Sequence, residues 1–239
     1  MIQIERRHFG QLVPSTNTTC EVEFTQCLPP NLQVHTARLG KGGNTPFSPS
    51  RDEDVAYQSK MLGDARVECI VLAQTSASLF EDGYDARVKK MMADNSGVPA
   101  ITSAEAIGEA IRALGCRKVG IVTPYSKQVI ETAAAYYEKH FDLRVIGMEG
   151  FGATDSYLIS KMGADTAFEG LRRVDTPEIE ALIVPGGNFP TMPWIATWER
   201  ALGKPVITTN QAALWAALGI MKLDYPLPGL GRLLEQMPR

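Results

Sequence analysis

The chain has 239 residues, 44% of them hydrophobic, and its 24 basic and 27 acidic side chains give a net charge of -3 at pH 7. This size suffices for one domain or two small lobes around a buried core. No run of Lys or Arg stands out and no apolar stretch reaches the roughly 20 residues of a membrane span, so neither nucleic acid nor membrane is a predicted partner. The charged start of the chain lacks the apolar core of a signal peptide, and we predict a cytoplasmic protein with a small-molecule partner.

The predicted elements alternate along the chain between short β-rich runs and segments of helix length. Parallel strands need crossover connections, so this alternation predicts an α/β fold whose parallel sheets are covered on both faces by helices. The predicted strands are Phe9–Val13, Gln33–Leu39, Val67–Ala73, Pro99–Thr102, Lys118–Thr123, Leu143–Met148, Ala181–Val184 and Pro205–Thr208.

Helix signals lie between these strands. Apolar residues recur at helical spacing through segment 104–115, which ends on a glycine. Thr18 with Glu21 and Thr102 with Glu105 fit the capping box, in which a hydroxyl and a carboxylate satisfy the free amides of a first turn. We therefore predict helices that begin at both places.

Eight strands exceed one small doubly wound sheet, and no open linker interrupts the chain. We predict two tightly packed lobes, whose loops at the carboxyl ends of the strands meet at a shared ligand cleft. The N-terminal lobe is predicted to comprise residues 1–100 plus 209–239, and the C-terminal lobe residues 101–208.

The loop after the first strand carries Ser15, Thr16 and Asn17 directly before a predicted helix. Hydroxyls, an amide and free backbone N–H groups at a helix start favour an anion such as a carboxylate or phosphate. The same residues also cap helices without binding anything. This loop alone leaves both interpretations open.

Four more loops rich in hydroxyls or amides follow predicted strands. In the last two, Gly186 and Gly187 allow close backbone approach, while Asn188 and Asn210 offer both a donor and an acceptor. Their mostly uncharged character predicts a compact carboxylate ligand, held without arginine clamps or a metal. The four loops are Gln74–Ser78, Thr123–Ser126, Pro185–Phe189 and Thr208–Gln211.

Five segments in order carry a family resemblance: Val13–Thr18, Thr75–Ser76, Ile101–Tyr125, Thr208–Ala212 and Gly229–Leu233. The chain resembles the maleate cis–trans isomerase and arylmalonate decarboxylase group of the aspartate/glutamate racemase superfamily. The resemblance implies two pseudo-symmetric Rossmann-like lobes, each a mostly parallel sheet flanked by helices. It also implies a small mono- or dicarboxylate bound between the lobes and no cofactor.

The resemblance assigns Asn17, Thr75, Ser76, Tyr125 and Asn210 to positions that hold carboxylate oxygens or a developing enediolate. An enediolate carries its new negative charge on oxygen. Preorganised donors aimed at that oxygen can lower a barrier by several kcal/mol.

Two positions depart from the family. Relatives usually place one cysteine directly before the Thr-Ser pair and another a residue or two before the Asn of the second-lobe loop, where this chain has Gln74 and Gly186. Aligning on the glycine pair instead puts Pro185 at the second position. A thiol can ionise near neutrality and attack carbon, whereas glutamine only forms hydrogen bonds. Proton transfer by two thiols is therefore not predicted.

Other groups must then carry the chemistry. Cys20 lies one turn into the helix after Asn17, where catalysis and buried packing both stay open. Tyr125 could donate a proton, although the family pattern favours a binding donor. Gln74 could position water, and Asp155 is interpreted as a helix cap in preference to a base.

The four cysteines lack CxxC spacing and have no histidine partners, so a zinc site is not predicted. By analogy with the fold's repertoire, we predict a cofactor-independent isomerase or decarboxylase-like lyase acting through an enediolate. A hydrolase or other lyase using activated water and a catalytically silent carboxylate binder stay as alternatives. The sequence also leaves homo-oligomer formation open.

Overall fold

The computed structural model describes residues 6–44, 46–224 and 226–238. The strands predicted from the sequence are all present, with ends shifted by at most three residues. They are β1 (Arg7–Pro14), β2 (Leu32–Leu39), β3 (Ile70–Leu72), β4 (Ala100–Thr102), β5 (Lys118–Thr123), β6 (Arg144–Gly150), β7 (Ala181–Val184) and β8 (Val206–Thr208).

Helices connect the strands, and in the described part of the chain none is long and apolar enough to span a bilayer. Two 3₁₀ helices cover Thr75–Leu79 and Met192–Trp194. The α-helices are α1 (Cys20–Cys27), α2 (Asp52–Asp64), α3 (Tyr84–Ser96), α4 (Ser103–Ala113), α5 (Lys127–Phe141), α6 (Ser156–Ile159), α7 (Ala164–Val174), α8 (Ile195–Leu202), α9 (Thr209–Ile220) and α10 (Arg232–Gln236).

Two four-stranded parallel sheets form, in the orders β2-β1-β3-β4 and β6-β5-β7-β8. Adding four to each strand number turns the first order into the second, so the two-lobed, pseudo-symmetric α/β prediction is confirmed. The first sheet uses residues 7–102 and the second residues 118–208. The exact lobe boundaries given above stay a prediction.

Strand registers make the symmetry explicit at the residue level. Leu72 of β3 pairs with Thr102 of β4, and Val184 of β7 pairs with Thr208 of β8. Counting two residues onward from the equivalent strand ends reaches Gln74 in one lobe and Gly186 in the other. These two residues are therefore pseudo-symmetry mates at the carboxyl ends of equivalent strands.

Helices α4 and α9 join the lobes. Each begins directly after the last strand of its sheet, and the two helices pack against each other. Helix α9 is buried from Thr209 to Leu218 and is apolar around its whole circumference after its polar first turn, as expected for a helix enclosed on all sides. One hydrophobic cluster consequently runs through both lobes.

One predicted capping box is confirmed in part and the other is wrong. The Thr102 hydroxyl accepts a hydrogen bond from the Glu105 amide at 3.2 Å, at the predicted start of α4. Thr18 does not cap α1, because the Asn17 side-chain oxygen accepts both the Thr19 and Cys20 amides at 3.0 Å. The helix consequently begins two residues later, at Cys20.

Candidate functional site

A cavity of about 40 Å³ lies where the loops after β1, β3, β5 and β7 converge between the lobes. Among the residues that the structure describes, Tyr125 is the only ionisable side chain in its lining. The other lining groups are apolar, hydroxyl, amide or glycine: Pro14, Thr16, Asn17, Phe47, Ala73, Gln74, Thr75, Ser76, Ser156, Ile159, Gly187 and Asn188.

Tyr125 is almost fully buried and its hydroxyl is hydrogen-bonded to Ser76. Burial raises the pKa of the phenol well above its ordinary value of 10.0, and the Ser76 hydrogen bond opposes this shift in part. Phe47 packs against the ring edge-on, with ring centroids 4.7 Å apart. Tyr125 is thus a neutral donor at physiological pH, presented at the cavity wall.

Thr75 lies in a chain of hydroxyls at the junction of the lobes. Its Oγ1 lies 3.0 Å from Ser103 Oγ and 3.2 Å from Thr209 Oγ1. Thr209 Oγ1 in turn accepts the Gly186 backbone amide at 2.8 Å. These linked hydroxyls fix the starts of α4 and α9 beside the cavity, and they accept the hydrogen bond of the Gly186 backbone amide.

Cys20 lies behind the cavity wall. Its thiol is 3.1 Å from the Gly187 carbonyl oxygen and 3.2 Å from Asn210 Oδ1, and it accepts the Asn17 side-chain amide at 3.2 Å. Complete burial, reinforced by the nearby Glu23 carboxylate, raises the pKa of this thiol to about 12. The group is a neutral thiol enclosed by amide partners.

Asn210 lies in the same buried layer, below Gly187. Its Nδ2 donates to Glu23 Oε2 at 2.6 Å and to the Gly187 carbonyl at 3.1 Å. The other Glu23 oxygen accepts the backbone amides of Thr191 and Met192 at 2.5 and 2.8 Å. Burial raises the pKa of Glu23, and these three hydrogen bonds offset that rise in part. Sequence reasoning missed Glu23, although its place one turn after Cys20 on an otherwise half-apolar helix was a usable signal.

Gln74 lines the cavity with both ends of its amide engaged. Its Oε1 accepts the Ser50 backbone amide at 3.2 Å, and its Nε2 donates to the Ser48 carbonyl at 3.0 Å. Phe47, directly before Ser48, is the residue that packs against Tyr125. Sequence reasoning missed Phe47, whose signal is a single aromatic within a segment rich in Gly, Pro and Ser.

Asn188 ties the rim of the cavity together. Its Oδ1 accepts the Thr18 amide at 2.9 Å, and its Nδ2 donates to the Ser156 carbonyl at 2.6 Å.

Asp155 is exposed and accepts the Tyr157 amide at 2.8 Å as the cap of α6, as predicted. A second chamber of about 240 Å³ adjoins the cavity on the outside.

The predicted site residues thus fall into three layers. Seven line the cavity: Asn17, Gln74, Thr75, Ser76, Tyr125, Gly187 and Asn188. Ser15 is exposed and lines the outer chamber. The remaining three, Cys20, Gly186 and Asn210, lie in the buried layer behind the cavity.

Comparisons with known proteins agree with this architecture. A maleate isomerase of Pseudomonas putida is 28% identical over 253 residues, covering 98% of this chain and 99% of that protein. An arylmalonate decarboxylase of Bordetella bronchiseptica is 27% identical over 241 residues, covering 99% of this chain and 100% of that protein. These relatives are enzymes, one an isomerase and the other a decarboxylase.

A solved structure of a Nocardia farcinica maleate cis-trans isomerase variant, with a covalently bound succinylcysteine intermediate, has a TM-score of 0.83 to this chain. Its identity is 26%, with 96% of this chain and 98% of that chain covered. The family model described as arylmalonate decarboxylase matches residues 46–234. Since this model spans most of the sequence, the chain belongs to the arylmalonate decarboxylase family.

Proposed function

We propose that this protein is a cofactor-independent, decarboxylase-like lyase that acts on a small malonate-type dicarboxylate through an enediolate. The observation that carries the proposal is the cavity lining, in which Tyr125 is the only ionisable side chain among the described residues. Decarboxylation needs a proton donor and stabilisation of an oxyanion but no base. Racemisation and water activation both need a base as well.

In the proposed step, the bond between the α-carbon and one carboxylate breaks, and carbon dioxide leaves. The electron pair passes into the remaining carboxyl group and gives an enediolate, whose oxygens take hydrogen bonds from hydroxyl and amide donors such as Ser76. Tyr125 then gives its phenolic proton to the α-carbon. The Ser76 hydrogen bond favours the resulting phenolate, which recovers a proton from water.

We further propose that Gln74 and Gly186 occupy the places of the family's two thiols. Their equivalence in the strand registers supports this assignment. In the Nocardia isomerase variant the intermediate is a succinylcysteine, in which the succinyl group is bound covalently to a cysteine sulfur. Cys20 is enclosed behind Gly187, so in the proposal the thiol is a structural group and catalysis proceeds without a cysteine nucleophile.

A catalytically silent carboxylate binder is the second candidate, supported by the hydroxyl and amide donors in the cavity lining. About 40 Å³ leaves room for little more than water while Phe47 covers Tyr125. A binder would keep the donors and have no need of a reaction path for a larger acid. The hydrolase alternative has less support, because it needs a base to activate water.

The test is a panel of malonate, alkylmalonates, arylmalonates and maleate, with carbon dioxide release and calorimetric binding followed in parallel. The proposal predicts carbon dioxide release from at least one malonate and none from maleate. Binding of malonates without release would identify the silent binder. Conversion of maleate to fumarate would identify an isomerase and overturn the lyase assignment.

A further inference from the structure

Gln74 makes contacts that a thiol at the same place would not make. The side chain is buried, and its two amide ends bind opposite groups on one short segment, the Ser48 carbonyl and the Ser50 amide. A carboxamide carries an acceptor and a donor close together, which matches two backbone groups of opposite polarity. The side chain therefore binds residues 46–50, here called the strap, to the end of β3.

The strap is fixed at its base independently of Gln74. Ser50 forms an antiparallel bridge with Lys41, and the Asp54 carboxylate accepts the Gly40 amide at 2.7 Å. These contacts hold the two stems, while the bonds of Gln74 and the packing of Phe47 on Tyr125 contact the strap itself.

The strap lies where it controls access to the cavity. Phe47 is in the left-handed backbone region, with φ 64°, and its ring meets that of Tyr125. The cavity and the outer chamber share Phe47, Gln74 and Ser76 in their linings. Moving the strap outward would join the two spaces and uncover the Tyr125 hydroxyl.

We infer that Gln74 is a positioning residue that clasps the strap closed, so that its amide sets how often the cavity opens to a carboxylate. In this chain Gln74, directly before the Thr-Ser pair, controls access to the cavity, and the proton donor is a different residue, Tyr125. Closing segments of this kind exclude water from a reaction site and set the rate of ligand entry. The inference rests on the proposed function for the identity of the ligand alone, because the clasp itself is a property of the free protein.

The test compares the wild type with Gln74→Met, which keeps side-chain length and removes both hydrogen bonds. Gln11→Met is the matched control, because Gln11 is a fully buried glutamine of β1 that donates to Thr36 at 2.7 Å within the same sheet. Two signals are followed by NMR without ligand: hydrogen exchange of the Ser50 amide, and the nuclear Overhauser effect between the Phe47 and Tyr125 rings.

In Gln74→Met we expect the Ser50 amide, which loses its acceptor, to exchange roughly tenfold faster or more, and the ring-to-ring signal, which reports the position of the strap, to weaken. Gln11→Met should leave both signals as in the wild type. An unchanged ring signal in Gln74→Met would overturn the inference whatever the Ser50 amide does, because that amide is bonded to Gln74 directly. An equal effect of Gln11→Met would also overturn it, because the opening would then follow general destabilisation.

Gln74→Glu provides a second variant should Gln74→Met fold poorly. It keeps the oxygen that accepts the Ser50 amide and loses the donor to the Ser48 carbonyl, so the ring-to-ring signal should lie between wild type and Gln74→Met. A wild-type ring signal would count against the clasp. Malonate titration of the same samples tests the proposed function separately. Strap opening in Gln74→Met without malonate binding by any sample would leave the clasp standing and reject the carboxylate site.

Discussion

At the residue scale, the account depends on Tyr125 as the proton donor. Replacing Tyr125 by Phe removes the hydroxyl and keeps the ring that packs on Phe47. We expect kcat to fall by roughly 10² or more, the usual contribution of a positioned acid, with ligand affinity changed much less. Steady-state kinetics and calorimetry measure the two effects. Tyr57→Phe, at an exposed tyrosine of α2, is the control and should match the wild type.

The pH dependence of the same step follows from the direction of the pKa shift. Burial raises the pKa of Tyr125 above 10.0, so the phenol keeps its proton through neutral and mildly alkaline pH. An acid catalyst is active while protonated. Activity should therefore be flat on the alkaline side up to about pH 10 and should decline only above it, and a decline centred near pH 8 or 9 would contradict proton donation by this tyrosine.

Cys20 gives a second prediction at this scale. Cys20→Ala leaves the Asn210 oxygen and the Asn17 amide without the thiol, and we expect a loss of about 2 kcal/mol in the free energy of unfolding. Turnover should persist. Because burial raises the pKa of Cys20 to about 12, alkylating reagents should not inactivate the native protein. Loss of turnover in a folded Cys20→Ala variant would show that this thiol takes part in the reaction.

At the element scale, the loop after β7 needs glycine at 186. Gly186 has φ 139°, and an added Cβ would come within 3.0 Å of Pro124. We expect Gly186→Ala to lower the free energy of unfolding by about 1–3 kcal/mol through backbone strain. Gly163→Ala is the control, since its φ is -74° and no heavy atom lies within 4 Å of the added Cβ, so its loss should stay within the roughly 0.5–1 kcal/mol of an alanine at the N-cap of α7. Chemical denaturation measures both; equal effects would remove the strain argument.

The same loop shows why a cysteine could not be placed at 186 or at 74 without a structural cost. A cysteine at 186 would meet the same strain as alanine, and one at 74 would release the strap. The strap could not be predicted from the sequence, because the contact of Gln74 with the Ser48 carbonyl and the Ser50 amide joins residues over 20 positions apart. The sequence showed only the composition of the strap and the single aromatic residue, Phe47, within it.

Local patterns predicted the elements better than their caps. All eight strands were placed because β-rich runs bounded by helical segments are a local signal. The start of α1 was misplaced at Thr18, since Asn17 competes for the same amides and reaches two of them. Sequence order alone does not decide between neighbouring capping residues.

At the scale of the whole molecule, Glu23 joins the lobes. From α1 it accepts hydrogen bonds from Thr191, Met192 and Asn210, all outside the first sheet. Glu23→Ala leaves these three donors unsatisfied in a buried layer, and we expect a loss of at least about 3 kcal/mol in the free energy of unfolding. Denaturation of the wild type and the variant at pH 7 measures it. A loss below 1 kcal/mol would contradict the joining role.

The raised pKa of Glu23 adds a pH-dependent part to the same prediction. The folded state holds a proton more tightly than the unfolded state, whose pKa is near 4.5. The contribution of Glu23 to stability is therefore full below about pH 4.5 and declines as pH rises through the higher folded pKa. The difference in unfolding free energy between wild type and Glu23→Gln should fall as pH rises over this window. A difference that rises instead would contradict a raised pKa of Glu23.

The architecture was predictable at this scale, whereas the depth of each side chain was not. Alternating elements indicated two parallel sheets, and the loops after their strands converge on one cavity. Asn17 and Asn210 are alike in sequence, yet Asn17 reaches the cavity wall and Asn210 lies in the layer behind it. Depth depends on how the lobes pack, and no local pattern reports it.

The measurement that tests the central claim most directly is proton NMR in deuterated water. Wild type, Tyr125→Phe and Cys20→Ala are each incubated with malonate-type acids. The account predicts decarboxylated product with deuterium at the α-carbon for wild type and Cys20→Ala, and little product for Tyr125→Phe. Equal product from Tyr125→Phe, or product that disappears only with Cys20→Ala, would contradict proton donation by the tyrosine.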